Sequence, residues 1–143
     1  MEDTRTSVEE FFHHFERNNN KSAFSDAVSQ FANVFMAAGP QGARCVKASD
    51  FALALPKRKQ LFASFGCDGM NLVSVDAHSL GNRYTMAHTR WKIHFTADAP
   101  STPDVFVDST FVLDKGEGGF RVVVYLAHQD VMAILKERAA LKS

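Results

Sequence analysis

The chain has only two cysteines, Cys45 and Cys67, with no CxxC pair and no dense spacing. That excludes a disulfide scaffold, and two buried, reduced thiols are the expectation. Net charge is also lacking: 16 basic residues cancel 16 acidic ones, and no block of like charge exceeds three residues. A broad basic or acidic footprint for nucleic acid or a membrane surface is therefore not expected. No stretch approaches the ~18 consecutive apolar residues of a membrane span. The start, Met1-Glu2-Asp3-Thr4-Arg5, has no basic region running into an apolar one, so it does not read as a signal peptide. The expectation is a cytoplasmic protein. GxSxG, HxH, HExxH and Gly-rich phosphate loops are missing as well, and the six histidines do not fall at metal-ligand spacing. No cofactor and no metal are predicted.

What the chain does have is phenylalanine: 13 residues, against two Tyr and one Trp. This is aromatic bulk without polar handles, suited to a core. At 143 residues the chain is sized for one domain, 1–143. Thr6 and Ser7, each with a Glu three residues on, are capping-box candidates. Val8, Phe11, Phe12 and Phe15 then recur at helical spacing until Asn18-Asn19-Asn20, predicting a helix over about 7–18. A second stripe of Phe24, Val28, Phe31 and Ala32 predicts a helix over about 22–33. Turn residues Gly39, Pro40 and Gly42 between short apolar runs read as a hairpin. Residues 49–66 are helical in texture, with Ser49 or Asp50 as cap, Pro56 opening a second short helix, and Gly66 as the stop.

From residue 69 the period changes to two. Strands are predicted at 70–78, 83–96, 105–114 and 120–127, joined by Leu80-Gly81-Asn82, a Pro-containing loop at 97–103, and the Gly-rich turn 115–119. A final helix begins near Gln129-Asp130 and carries Val131, Ile134, Leu135 and Leu141, with Lys136, Arg138 and Lys142 toward its end. A fourteen-residue strand would run about 46 Å at about 3.3 Å per residue, so it must bend and coil in so small a domain. The predicted class is α+β: a strongly curved, mostly antiparallel sheet, a four-stranded meander plus a short hairpin, wrapped around N-terminal helices.

Two segments carry a family likeness. Tyr84-Thr85-Met86-Ala87-His88-Thr89-Arg90-Trp91-Lys92-Ile93-His94-Phe95 resembles the long central strand of nuclear transport factor 2-like domains. Phe120-Arg121-Val122-Val123-Val124-Tyr125-Leu126-Ala127-His128-Gln129-Asp130 resembles their last strand entering a terminal helix. The resemblance covers nearly the whole chain and implies a cone-shaped α+β barrel, an apolar pocket and a homodimer formed through the sheet. Ketosteroid isomerase-like and polyketide cyclase-like proteins share that fold. The isomerases need a Tyr on the first helix, and here that helix offers Phe11, Phe12, His13, His14 and Phe15 instead.

In the long strand Thr85, Ala87, Thr89, Trp91, Ile93 and Phe95 share a mostly apolar face, read as core or cavity wall. Tyr84, Met86, His88, Arg90, Lys92 and His94 share the polar one. A symmetric hairpin about the Gly-rich turn would align Val105, Val107, Ser109, Phe111 and Leu113 with Phe120, Val122, Val124, Leu126 and His128. The opposite face would then gather Asp108, Thr110, Arg121 and Tyr125, with Asp108 and Tyr125 as an acid–base or hydrogen-bonding pair. The basic run Lys57-Arg58-Lys59 reads as a solvated turn. Candidate ligand-binding residues are Phe35, Trp91, Asp108, Tyr125 and His128, and the catalytic candidates are Asp108 and His128. Two functions stay open: a dimeric module binding a small apolar molecule, or an isomerase, dehydratase or cyclase with an Asp or His general base.

Overall fold

A computed structural model describes residues 4–96 and 104–140. The elements run α1 (Thr4–Asn20), α2 (Phe24–Ser29), β1 (Phe31–Gly39), β2 (Gly42–Lys47), α3 (Ala48–Ser64), β3 (Cys67–Leu80), β4 (Tyr84–Phe95), β5 (Phe106–Gly116), β6 (Gly119–Ala127) and α4 (Val131–Ala140). The Pro-containing loop at 97–103, and Leu141 and Lys142 of the last helix, lie outside the described residues. The six strands form one open sheet in the order β2-β1-β6-β5-β4-β3. Every neighbouring pair is antiparallel except β1 with β6, which are parallel. This is the expected meander plus hairpin, united into a single α+β sheet.

Alternation decides which face is buried. Thr85, Ala87, Thr89, Trp91 and Ile93 of β4 are buried, and so are Val107, Ser109, Phe111 and Leu113 of β5. Strands β3 and β6 do not alternate cleanly. An extra residue sits between Leu72 and Ser74, and another register shift falls between Val112 and Leu113 opposite β6. Across the first, Met70 and Leu72 face inward opposite Ile93 and Trp91. Beyond it, Val75 and Ala77 do so opposite Thr89 and Ala87. One added residue moves later side chains to the other face and bends the strand, so these bulges let a long sheet curl over its helices.

The inner face is closed by α1 through Val8 and Phe12, both fully buried, and by α4 through Leu135. Aromatic rings join the layers. Phe12 and Phe15 reach Phe111 at centroid distances of 4.9 and 5.4 Å, Phe15 meets Phe31 at 5.9 Å, and Phe31 meets Phe51 of α3 at 4.7 Å. At the far end Arg138 of α4 lies over the Phe95 ring at 3.5 Å.

Several sequence expectations change, among them the first helix start: α1 begins at Thr4, so Thr6 and Ser7 lie inside it and are not its caps. The second helix stops at Ser29, and Phe31 opens β1 instead of extending a helix to 33. Phe31 and Phe35 are four apart, a spacing that keeps one face in a helix and in a strand alike. The Gln30 carbonyl settles the matter by accepting Val122 N–H at 2.8 Å, which draws the chain into the sheet. The segment after the hairpin is one helix, with Pro56 inside it. The carbonyl four residues earlier belongs to Ala52, an exposed residue, so the lost hydrogen bond falls on the solvent side of the helix. Lys47 occupies the N-cap with no side-chain hydrogen bond, so Ser49 and Asp50 are first-turn residues and not caps.

β3 is an edge strand, and α1 covers its first half. Asn20 accepts the Met70 N–H at 3.0 Å and donates to the Met70 carbonyl at 2.8 Å, while Glu16 accepts the Leu72 N–H. A side-chain amide thus mimics a neighbouring strand and removes bare edge. Lys59 of α3 donates to the Asn19 and Asn20 carbonyls at 2.9 and 3.1 Å, placing a cation on the C-terminus of α1. The bridge requires glycine at 69, because a Cβ there would stand 2.7 Å from Asn20 Oδ1. Gly69→Ala is expected to destabilise the fold by about 1–3 kcal/mol through loss of the amide bridge. Urea denaturation should show most of that penalty vanishing in an Asn20→Ala background. Additive losses from the two substitutions would contradict the coupling.

Candidate functional site

A cavity of about 500 Å³ opens between the inner face of the sheet and α1, α2 and α3. Its wall is the aromatic seam just described: Phe15, Phe31, Phe35, Phe51, Phe111 and Trp91 all line it. Phe35 packs on Phe31 at 4.6 Å and on Phe51 at 5.3 Å, and Phe15 meets Trp91 at 5.8 Å. The Trp91 indole N–H is satisfied inside the wall by Thr89 Oγ1 at 2.7 Å. Thr89 in turn donates to the Ser109 carbonyl at 3.1 Å.

Polar groups around the cavity fall into two sets. Glu16, Asn20 and Lys59 border it, yet each is committed to the backbone of β3 or to the end of α1. Asp68 also borders it and is paired with His94 on the exposed side. Exposed Arg44, Asp50 and Arg58 stand at the same opening, where the Arg58 guanidinium rests 5.0 Å from the Phe62 ring centroid. Deeper in, the inner faces of β5 and β6 contribute two hydroxyls, Ser109 and Tyr125.

Of the sequence candidates, Phe35, Trp91 and Tyr125 present side chains to the cavity. Asp108 borders the cavity, but its carboxylate lies on the outer face of the sheet. There it meets His88 Nε2 at 3.5 Å and Arg90 Nη1 at 3.6 Å, and receives Gln129 Nε2 at 3.4 Å. His128 is on that outer face too. Its Nε2 pairs with Thr110 Oγ1 at 2.7 Å, and its ring lies 5.1 Å from that of His88. The bulge in β6 explains the separation. Leu113 pairs with Val122, but Phe111 pairs with Tyr125 and Ser109 with Ala127. Beyond the bulge Tyr125 therefore turns inward and Val124, Leu126 and His128 turn outward, the reverse of the symmetric hairpin. Asp108 and Tyr125 do not form a pair, and the polar outer cluster is His88, Arg90, Asp108, Thr110 and His128.

Residues missed in the sequence are Ser109, Phe51 and Phe31 in its strand role. Ser109 had a legible signal, since it is the one hydroxyl interrupting the run Val105, Val107, Phe111, Leu113. Among the described residues no group of three His, Cys, Asp or Glu could hold a metal ion, and no helix is long and apolar enough to cross a membrane.

No family model matches the chain, and no curated protein matches it by sequence. Solved structures do. A nuclear transport factor 2-like protein of unknown function from Shewanella oneidensis superposes with a TM-score of 0.69 at 10% identity, covering 89% of this chain and 100% of that one. ActVI-ORFA from Streptomyces coelicolor gives 0.72 at 13% identity over 90% and 99% of the two chains. A scytalone dehydratase-like protein from Novosphingobium aromaticivorans gives 0.64 at 8% identity over 86% and 81%. The open sheet with helices on one face is thus a recurrent α+β architecture. The chain has the nuclear transport factor 2-like fold, as the two strand segments implied.

The two cysteines differ sharply. Cys67 is 4% exposed, and burial raises its thiol pKa, whereas Cys45 is exposed at the cavity opening. Since the thiolate is the reactive form, a thiol reagent at mildly alkaline pH should modify Cys45 first and Cys67 only on unfolding. Mass spectrometry finding Cys67 labelled first in the native protein would overturn this assignment.

Proposed function

We propose that the protein binds a small, mainly apolar ring compound in the cavity between its helices and sheet. The carrying observation is the wall itself: a void of about 500 Å³ bounded by Phe15, Phe31, Phe35, Phe51, Phe111 and Trp91. A volume of this order suits a small organic molecule, and apolar walls with few polar groups are the usual composition of such sites. Candidates Phe35, Trp91 and Tyr125 act as wall residues. Asp108 and His128 face the other side of the sheet, so a general base on either would work away from the cavity.

The test is titration with a neutral naphthylamine dye whose emission rises in apolar surroundings. Ala37 lines the cavity from β1, so Ala37→Trp should fill it and weaken dye binding at least tenfold, about 1.4 kcal/mol. An unchanged melting temperature would show that the fold survives. Equal dye binding by the two proteins would refute the reading.

The same reading includes a homodimer through the outer face of the sheet. Phe106 and Leu126 are 38% and 39% exposed there, beside the His88, Arg90, Asp108 and His128 cluster. Apolar groups among paired charges are the composition of many subunit contacts. Light scattering should give twice the chain mass, and Leu126→Glu should give the monomer. A monomeric native protein would remove the dimer.

A further inference from the structure

Ser109 and Tyr125 are the two hydroxyls that the fold leaves unused inside the cavity. Ser109 is only 6% exposed, and Tyr125 is half-buried with its ring 5.1 Å from that of Phe111. Both line the cavity, and no hydrogen bond joins either hydroxyl to the described residues. Thr89 is the contrast, a buried hydroxyl on the same inner face that is engaged on both sides, by Trp91 and by the Ser109 carbonyl. Pairing of Ser109 with Ala127 and of Phe111 with Tyr125 makes Ser109 and Tyr125 diagonal neighbours on adjacent strands. Diagonal positions lie about 7–8 Å apart, within the reach of a long aromatic side chain. Neither oxygen is sealed in the protein, so both are reached from the cavity, where a polar atom of the occupant can supply the partner that the fold does not.

We propose that Ser109 and Tyr125 form a subsite for a neutral oxygen acceptor, so that the preferred ligand is a ring compound carrying a carbonyl. A carbonyl oxygen has two lone pairs and can accept from both hydroxyls. A carboxylate fits poorly, because the flanking inward residues Val107, Phe111 and Ala127 are uncharged. Arg44 and Arg58, which form no ion pair among the described residues, are exposed at the opening instead. An anion beside Ser109 and Tyr125 would be buried without a counter-charge. This inference deepens the cavity reading and rests on it.

Tetralin and α-tetralone share one skeleton and differ by the carbonyl, so calorimetric titration with both separates the two ideas. The native protein should bind the ketone about tenfold more tightly, the scale of one or two neutral hydrogen bonds. In Ser109→Ala/Tyr125→Phe that preference should fall to within about twofold, because only the ketone loses a hydrogen-bond partner. Because neither hydroxyl has a partner among the described residues, the melting temperature should also stay put. Equal affinities in the native protein, or a preference that survives the double substitution, would overturn the subsite and leave the cavity standing. A lowered melting temperature with both ligands lost would make the hydroxyls structural and overturn it too. Failure of both compounds to bind the native protein would overturn the cavity reading and the subsite together.

Discussion

A six-stranded sheet with one buried face is wider than a layer of two long helices, and the fold must cover that difference. Aromatic rings do it. Phe12 and Phe15 project from α1 and meet Phe111 in β5, while Phe51 projects from α3 onto Phe31 and Phe35 in β1. Planar side chains bridge a long gap at edge-to-face contact, and each pair adds about 0.5–1.5 kcal/mol beyond its buried area. They do not fill a gap as branched aliphatics do. Phe15 meets Phe31 and joins the two ring groups into one seam, and the cavity opens along it, so the packing that closes the core also walls the space. This accounts for a composition of many Phe and few Tyr, since most of the rings need no polar partner.

That constraint was legible where alternation is unbroken. In β4 the apolar face read from residues 85 to 95 is the buried one, and the Phe stripe of α1 lies against it. It was not legible where an extra residue intervenes. Val73 and Val123 look like ordinary β-branched strand residues, and a bulge arises from what the neighbouring strands demand. Phe31 was ambiguous for a different reason, because an i, i+4 pair satisfies both periods and only the hydrogen bond from Val122 to Gln30 resolves it.

The bulge in β6 had the larger consequence for the site. One residue of register there exchanges Tyr125 for His128 at the inner face. With a symmetric hairpin, the inner wall would carry an imidazole and the outer face a phenol beside Asp108. The actual register puts the His128 imidazole outside and gives the β5–β6 part of the cavity wall two hydroxyls, Ser109 and Tyr125. Assigning a function to this fold from residue types alone therefore fails at one peptide unit. Trp91, on unbulged β4, was found without that difficulty.

The polar residues that border the cavity have unequal freedom, and this bears on what binding would do. Asn20, Glu16 and Lys59 hold the edge of β3 and the end of α1, so a ligand recruiting them would have to break bonds that close the fold. Losing such a bond leaves a backbone group bare at an edge strand, a cost of about 1–3 kcal/mol that one new contact would only just offset. Ser109 and Tyr125 carry no such obligation. A ligand bonding there would add contacts without removing any, and would stabilise the folded state in proportion to the logarithm of its concentration over its Kd. The polar groups that hold the fold together come from α1 and α3, whereas the two hydroxyls without such a task come from β5 and β6, where register alone decides that they face inward.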